Sequence, residues 1–139
     1  MRIVLWYLTL SCALLQILSE ELPKEFEDKN TIDCLSEVER DSSILKDVMD
    51  KNYNIVSEDP VVYAFFDCMF EKLHFIKNGE FVKTELVKYT AEKSVPFFKP
   101  DAKNPRKVGH DAFEACKDIE RGPKRVVNYT NCIIREIRK

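Results

Sequence analysis

Five cysteines are the residues whose spacing says most about chemistry in this chain: Cys12, Cys34, Cys68, Cys116 and Cys132. The last four are separated by 33, 47 and 15 residues, and no pair forms Cys-x-x-Cys. The two histidines, His74 and His110, are not at zinc-ligand spacing from them, so the pattern predicts no metal site. Catalytic signatures are missing as well. With only Gly79, Gly109 and Gly122 there is no phosphate-binding glycine loop, and neither His-Glu-x-x-His nor Gly-x-Ser-x-Gly occurs. The carboxylates crowd the N-terminal segments, where a solvated face accounts for them. The sequence therefore predicts a protein that is not an enzyme, with no catalytic residue and no cofactor.

What the cysteines do depends on the compartment. Residues 3–18, IVLWYLTLSCALLQIL, are an apolar run behind Arg2, ending at the small residue Ser19 and followed at once by Glu20 and Glu21. The run is shorter than the roughly 20 apolar residues a membrane span requires. It reads as a cleaved secretory signal peptide over residues 1–19, leaving a secreted, extracellular domain at 20–139 with no membrane insertion. Cleavage would remove Cys12 and Trp6. Four cysteines in an oxidising compartment imply two disulfides, with three connectivities open. Gly122-Pro123 separates Cys116 from Cys132, and antiparallel helices on either side would bring those two sulfurs together. That leaves Cys34 for Cys68.

Composition narrows the class further. The 139 residues carry a formal charge of −2, with 45% hydrophobic and 11% aromatic residues. Such a chain is too apolar for a disordered tail and not basic enough for nucleic acid. Charge is nevertheless polarised: residues 20–60 hold 13 acids and 5 bases, whereas 99–139 hold 6 acids and 11 bases.

The elements that must position these residues read as helices. A charged helix is expected over residues 24–40, carrying Phe26, Ile32 and Leu35, and a short one over 44–50. Asp59-Pro60 starts the strongest segment, whose Val62, Phe65, Phe66, Met69, Leu73 and Ile76 form one apolar stripe. Asn78-Gly79 is expected to stop that helix. Further helices are expected at 82–93, 109–121 and from Pro123 to the end. Pro96, Pro100 and Pro105, with Asp101 and Asn104, read as a loop between them. Alternating strand patterns of useful length are not seen. The fold class is all-α, a single domain of about six short helices. Asn128-Tyr129-Thr130 is a glycosylation sequon, expected to be unused because Asn128 shares a helical face with Cys132.

The rings are numerous for so small a domain: Tyr63, Phe65, Phe66, Phe70, Phe75, Phe81, Tyr89, Phe97, Phe98, Phe113 and Tyr129 among them. Short helices enclose so many large side chains only with exposure or an internal apolar cavity.

Residues 59–89, DPVVYAFFDCMFEKLHFIKNGEFVKTELVKY, resemble the insect odorant-binding protein family of the pheromone/general-odorant type. Cys34 after an acidic opening and Cys116-Lys117-Asp118 fit the same pattern. That family typically carries six cysteines, and the second and fifth are missing here. Ala64 stands where the second would be, and the fifth would fall near Pro123-Lys124. The chain is thus similar to the four-cysteine "minus-C" subgroup, which implies bridges Cys34–Cys68 and Cys116–Cys132. The resemblance also implies helices around a hydrophobic cavity that carries small hydrophobic molecules such as odorants or pheromones. A homodimer and contact with a chemoreceptor are further partners it admits. The apolar stripes nominate Phe65, Phe66, Met69, Leu73, Phe75, Leu86, Tyr89, Phe97, Phe98, Phe113, Val127 and Ile134 as ligand-binding residues. The competing reading is a secreted helical protein of venom or saliva type that binds another protein through its surface.

Overall fold

The computed structural model describes residues 28–139, so the expected signal peptide and Phe26 lie outside the described residues. Helix α1 spans Lys29–Glu37 and is capped by Asp28, whose carboxylate accepts from the Thr31 backbone N–H at 2.8 Å. It ends three residues before the expected end at residue 40. Glu39 turns left-handed after it (φ 54°), and the Arg40 N–H returns to the Leu35 carbonyl, closing the end. A 3-10 turn, Ser42–Leu45, stands where residues 44–50 suggested a helix. The Asp50 carboxylate accepts from the backbone N–H groups of Asn52 and Asn54, a local alternative that competes with helical pairing. An isolated bridge, Met49 to Ile55, follows. Asn131 anchors this connector from the far end of the chain: its side chain accepts from the Ile55 N–H (2.7 Å) and donates to the Ile55 carbonyl (2.9 Å).

Helix α2, Pro60–Lys72, begins as the sequence indicates, with the Asp59 carboxylate capping the Val61 N–H and Pro60 in the first turn. It ends six residues before Asn78-Gly79. His74 adopts φ 60° and the Phe75 N–H reaches the Phe70 carbonyl at 2.8 Å, while the rings of Phe70 and Phe75 meet at 5.3 Å. This is a Schellman end with its hydrophobic contact. Asn78-Gly79 instead turns a small antiparallel hairpin, β1 (Ile76–Lys77) and β2 (Glu80–Phe81), paired Ile76 to Phe81 and Lys77 to Glu80. Both turn residues have positive φ (53° and 77°), the geometry an Asn-Gly hairpin supplies and a helix stop needs only once.

Helix α3, Lys83–Tyr89, does not give way to a loop at Pro96. The helical path continues through a π turn, Thr90–Ser94, into α4, Val95–Phe98. Proline lacks a backbone donor and crowds the carbonyl four residues back, and the wider turn absorbs both just before Pro96. Helix α5 runs Pro105–Cys116, starting and ending earlier than expected. Asn104 accepts from the Lys107 N–H at 3.0 Å and Pro105 takes the first helical position, so the pair is a start signal and not loop punctuation. Helix α6, Arg125–Ile137, begins two residues after Pro123, which occupies a preceding turn. Gly109 lies where α5 crosses the earlier rod: a Cβ there would meet the Ala91 nitrogen and the Val87 carbonyl, each at 3.2 Å.

The fold is thus mainly helical, with only a two-stranded sheet among the described residues. Two disulfides close it, Cys34–Cys68 joining α1 to α2 and Cys116–Cys132 joining α5 to α6. Both pairings are those the sequence implied. None of the helices among the described residues is long and apolar enough to cross a membrane.

Candidate functional site

The buried side chains fall into three apolar clusters. The largest draws Phe75, Leu86, Val87, Val95, Phe113, Tyr129, Ile133 and Ile137, with both sulfurs of Cys116–Cys132, from α3 to α6 and the α2 end. Phe70, Leu73, Phe81 and Phe98 pack against it from half-buried positions. A second cluster holds Val48, Ile55, Val62, Tyr63 and Val127, and a third holds Cys34, Leu35, Phe65 and Cys68.

Nine of the twelve residues nominated from the sequence are distributed over all three. Leu73, Phe75, Leu86, Phe98 and Phe113 come together in the largest. Phe65 and Met69 belong to the third, Val127 to the second, and Phe66 touches both of those. Ile134 is buried on α6. Tyr89 is 43% exposed, although its ring lies 5.0 Å from Phe75, and Phe97 is 61% exposed. Phe97 makes edge contacts with Tyr53 at 5.2 Å and Phe98 at 4.9 Å, forming an aromatic patch on the surface.

Three rings at the centre of the largest cluster, Phe70, Phe81 and Tyr129, are not among the twelve. Tyr129 meets Phe81 at 4.5 Å, Phe70 at 6.0 Å and Phe113 at 6.4 Å between centroids, within the range of favourable aromatic pairs. Its signal was in the sequence: Val126, Tyr129, Ile133 and Ile137 follow helical spacing on α6. Among the described residues the Tyr129 hydroxyl has no hydrogen-bond partner, and burial pushes its pKa well above that of an ordinary tyrosine.

A polar cleft of about 270 Å³ lies beside the hairpin, lined by Asp67 and Glu71 of α2 and by Arg121 and Arg125 at the start of α6, among others. It contains none of the twelve. Desolvation, and then the charge of Glu71, raise the Asp67 carboxyl above the usual range. Arg125 donates to the Gly79 carbonyl at 2.7 Å and stacks 4.0 Å from the Phe81 ring centre; Arg121 pairs with Glu80. Lys124 pairs with Glu58 and lies over the Tyr63 ring. The basic start of α6 therefore meets acids from the earlier chain. Asn128 is exposed while Cys132 is buried, so the crowding expected at the sequon is not there. No group of three or more His, Cys, Asp or Glu residues placed to hold a metal occurs among the described residues.

These features define a disulfide-stapled helical protein with an apolar interior that holds a group of packed rings. Its sequence matches the PBP/GOBP family over residues 16–136. The chain belongs to that family of pheromone- and general-odorant-binding proteins, a family of small carriers and not of enzymes. No curated protein and no solved structure matches it.

Proposed function

We propose that this chain is a secreted carrier or scavenger of small hydrophobic ligands, such as odorants or pheromones, held in an apolar pocket between its helices. The observation that supports this most is the aromatic cluster spanning α2 to α6 in a member of a carrier family. Binding is driven by removal of apolar surface from water, on the order of 25 cal/mol per Å². Export follows from the expected signal peptide at 1–19, and Leu73, Phe75, Leu86, Phe98 and Phe113 are the nominated residues best placed to share one ligand. The chain further belongs to the "minus-C" type: with Ala64 and Lys124 in place of a third bridge, α2 and α6 are tied by the Lys124–Glu58 pair and can adjust to different ligands. Displacement of an environment-sensitive apolar fluorophore from the purified 20–139 domain tests the carrier. Saturable displacement by hydrophobic ligands is expected; no saturable binding of any apolar probe overturns it. The exposed Tyr53, Tyr89 and Phe97 favour the alternative, a surface that binds another protein, and that reading predicts no probe binding.

A further inference from the structure

Among the described residues, two buried side-chain polar atoms lack a hydrogen-bond partner, the Tyr129 hydroxyl and Nε of Arg125. They lie four residues apart on α6, on one helical face, and both side chains contact the Phe81 ring. The Arg125 orphan has a local account: the guanidinium stacks on Phe81 and spends another nitrogen on the Gly79 carbonyl. The Tyr129 hydroxyl has none. The residue is 2% exposed, surrounded by the rings of Phe70, Phe81 and Phe113, and no charged group contributes to its shift. Burying a hydroxyl unpaired is unfavourable, and phenylalanine would fill the same volume without that penalty. The hydroxyl therefore calls for a partner that none of the described residues supplies. Phenol in such surroundings stays protonated, so it is available as a donor.

We propose that the Tyr129 hydroxyl is the polar anchor of the ligand pocket, donating a hydrogen bond to a neutral carbonyl oxygen on an otherwise apolar ligand. The inference rests on the carrier reading above. A pocket of this kind is mainly apolar, with one or two polar groups fixing orientation, and Tyr129 sits in the cluster that holds the largest share of the nominated ligand residues. A carboxylate fits less well. Among the rings it would lose hydration, and the cations that reach them are already engaged: Lys83, over Phe113, pairs with Glu114, and Arg125, over Phe81, donates to the Gly79 carbonyl.

Methyl decanoate and dodecane, which match in chain length, test the anchor against the wild-type domain and Tyr129→Phe, with dodecanoate as a third probe. Tyr129→Phe should weaken binding of the ester about five- to tenfold, the worth of one hydrogen bond, and leave binding of the alkane as before. The ligand-free variant should melt no lower than wild type. An equal effect of Tyr129→Phe on ester and alkane overturns the anchor and leaves the carrier intact. Failure of the wild type to bind any of the three overturns the carrier itself. A lower melting temperature of the ligand-free variant assigns the hydroxyl to another role and overturns the proposal. Tighter binding of dodecanoate than of the ester overturns the choice of a neutral carbonyl.

Discussion

The two disulfides sit in unlike surroundings. Cys116–Cys132 lies in a cluster of eleven buried residues to which α3, α4, α5 and α6 all contribute. Cys34–Cys68 lies in a cluster of four, between α1 and α2, beside a connector held by turns, one isolated bridge and the Asn131 clamp. The bridge in the sparser region also spans the longer separation, 34 residues against 16. In the chain-entropy account, longer loops gain more from closure. The region with less core thus has the stronger covalent tie. Small domains that bury little apolar surface depend on such staples, and here the dependence is uneven along one chain.

Removing each bridge tests that asymmetry most directly. Converting Cys34 and Cys68 together to alanine should lower unfolding stability by about 4 kcal/mol, and the Cys116/Cys132 pair by about 3 kcal/mol. Denaturant melts give the totals, and native-state hydrogen exchange locates them: α1 should lose protection selectively in the first variant. A larger loss from the second pair would reverse the comparison.

Equivalent truncations in the apolar clusters come next. Ile137, fully buried in the large cluster, should cost about 3 kcal/mol on replacement by alanine, and Ile55, in the second cluster with Val48, Val62, Tyr63 and Val127, about 2 kcal/mol. The connector around Ile55 can settle into the space left behind, whereas four packed helices cannot. Equal losses would show that the connector is as rigid as the core.

A glycine pair sharpens the same contrast at lower energy. In Gly109→Ala the added methyl meets two backbone atoms at 3.2 Å, so α5 must move off the rod, and the gain in helix propensity offsets part of that cost. A net loss of about 1 kcal/mol is expected. Gly79→Ala meets no atom within 4 Å, yet φ 77° strains an alanine by about 1 kcal/mol. Thermal melts give both totals. Near-ultraviolet dichroism separates the causes, since only Gly109→Ala should disturb the aromatic packing.

The parts of this fold legible in the sequence are those set by local chemistry. Asp59-Pro60 announces α2, the cysteine spacing across Gly122-Pro123 suggests Cys116–Cys132, and stripe periodicity identifies most buried positions. What was misread involves one signal with two uses. Asn-Gly supplies left-handed backbone to a helix end or a hairpin, and the outcome turned on His74 having already closed α2. Asn104-Pro105 punctuates a loop or starts a helix, and Pro96 ends a helix unless a π turn precedes it. Grouping the site was harder, because a helical stripe shows that Phe65, Phe75 and Val127 face inward but not that they face different clusters. Tyr129 shares the spacing of Val126, Ile133 and Ile137 on α6, but that spacing does not show which rings it meets.

Acid should expose the smallest difference between the regions. Glu114 on α5 accepts from Lys117 one turn away and from Lys83 on α3, with His110 close by, so it links two helices of the large cluster. These partners, Lys117 first, hold its carboxyl at about 2 against an ordinary 4.5. The unfolded chain therefore takes up this proton at higher pH than the native one. The contribution is complete above about pH 4.5 and is lost as pH falls towards 2. Because the groups are exposed, water and salt screen the effect, and it should be smaller than either glycine substitution. Thermal melts between neutral pH and pH 2 should decline less steeply for Glu114→Gln than for wild type, and the two curves should converge in high salt. Parallel curves would mean that the α3–α5 contact draws nothing from this carboxylate and rests on apolar packing and the Gly109 crossing.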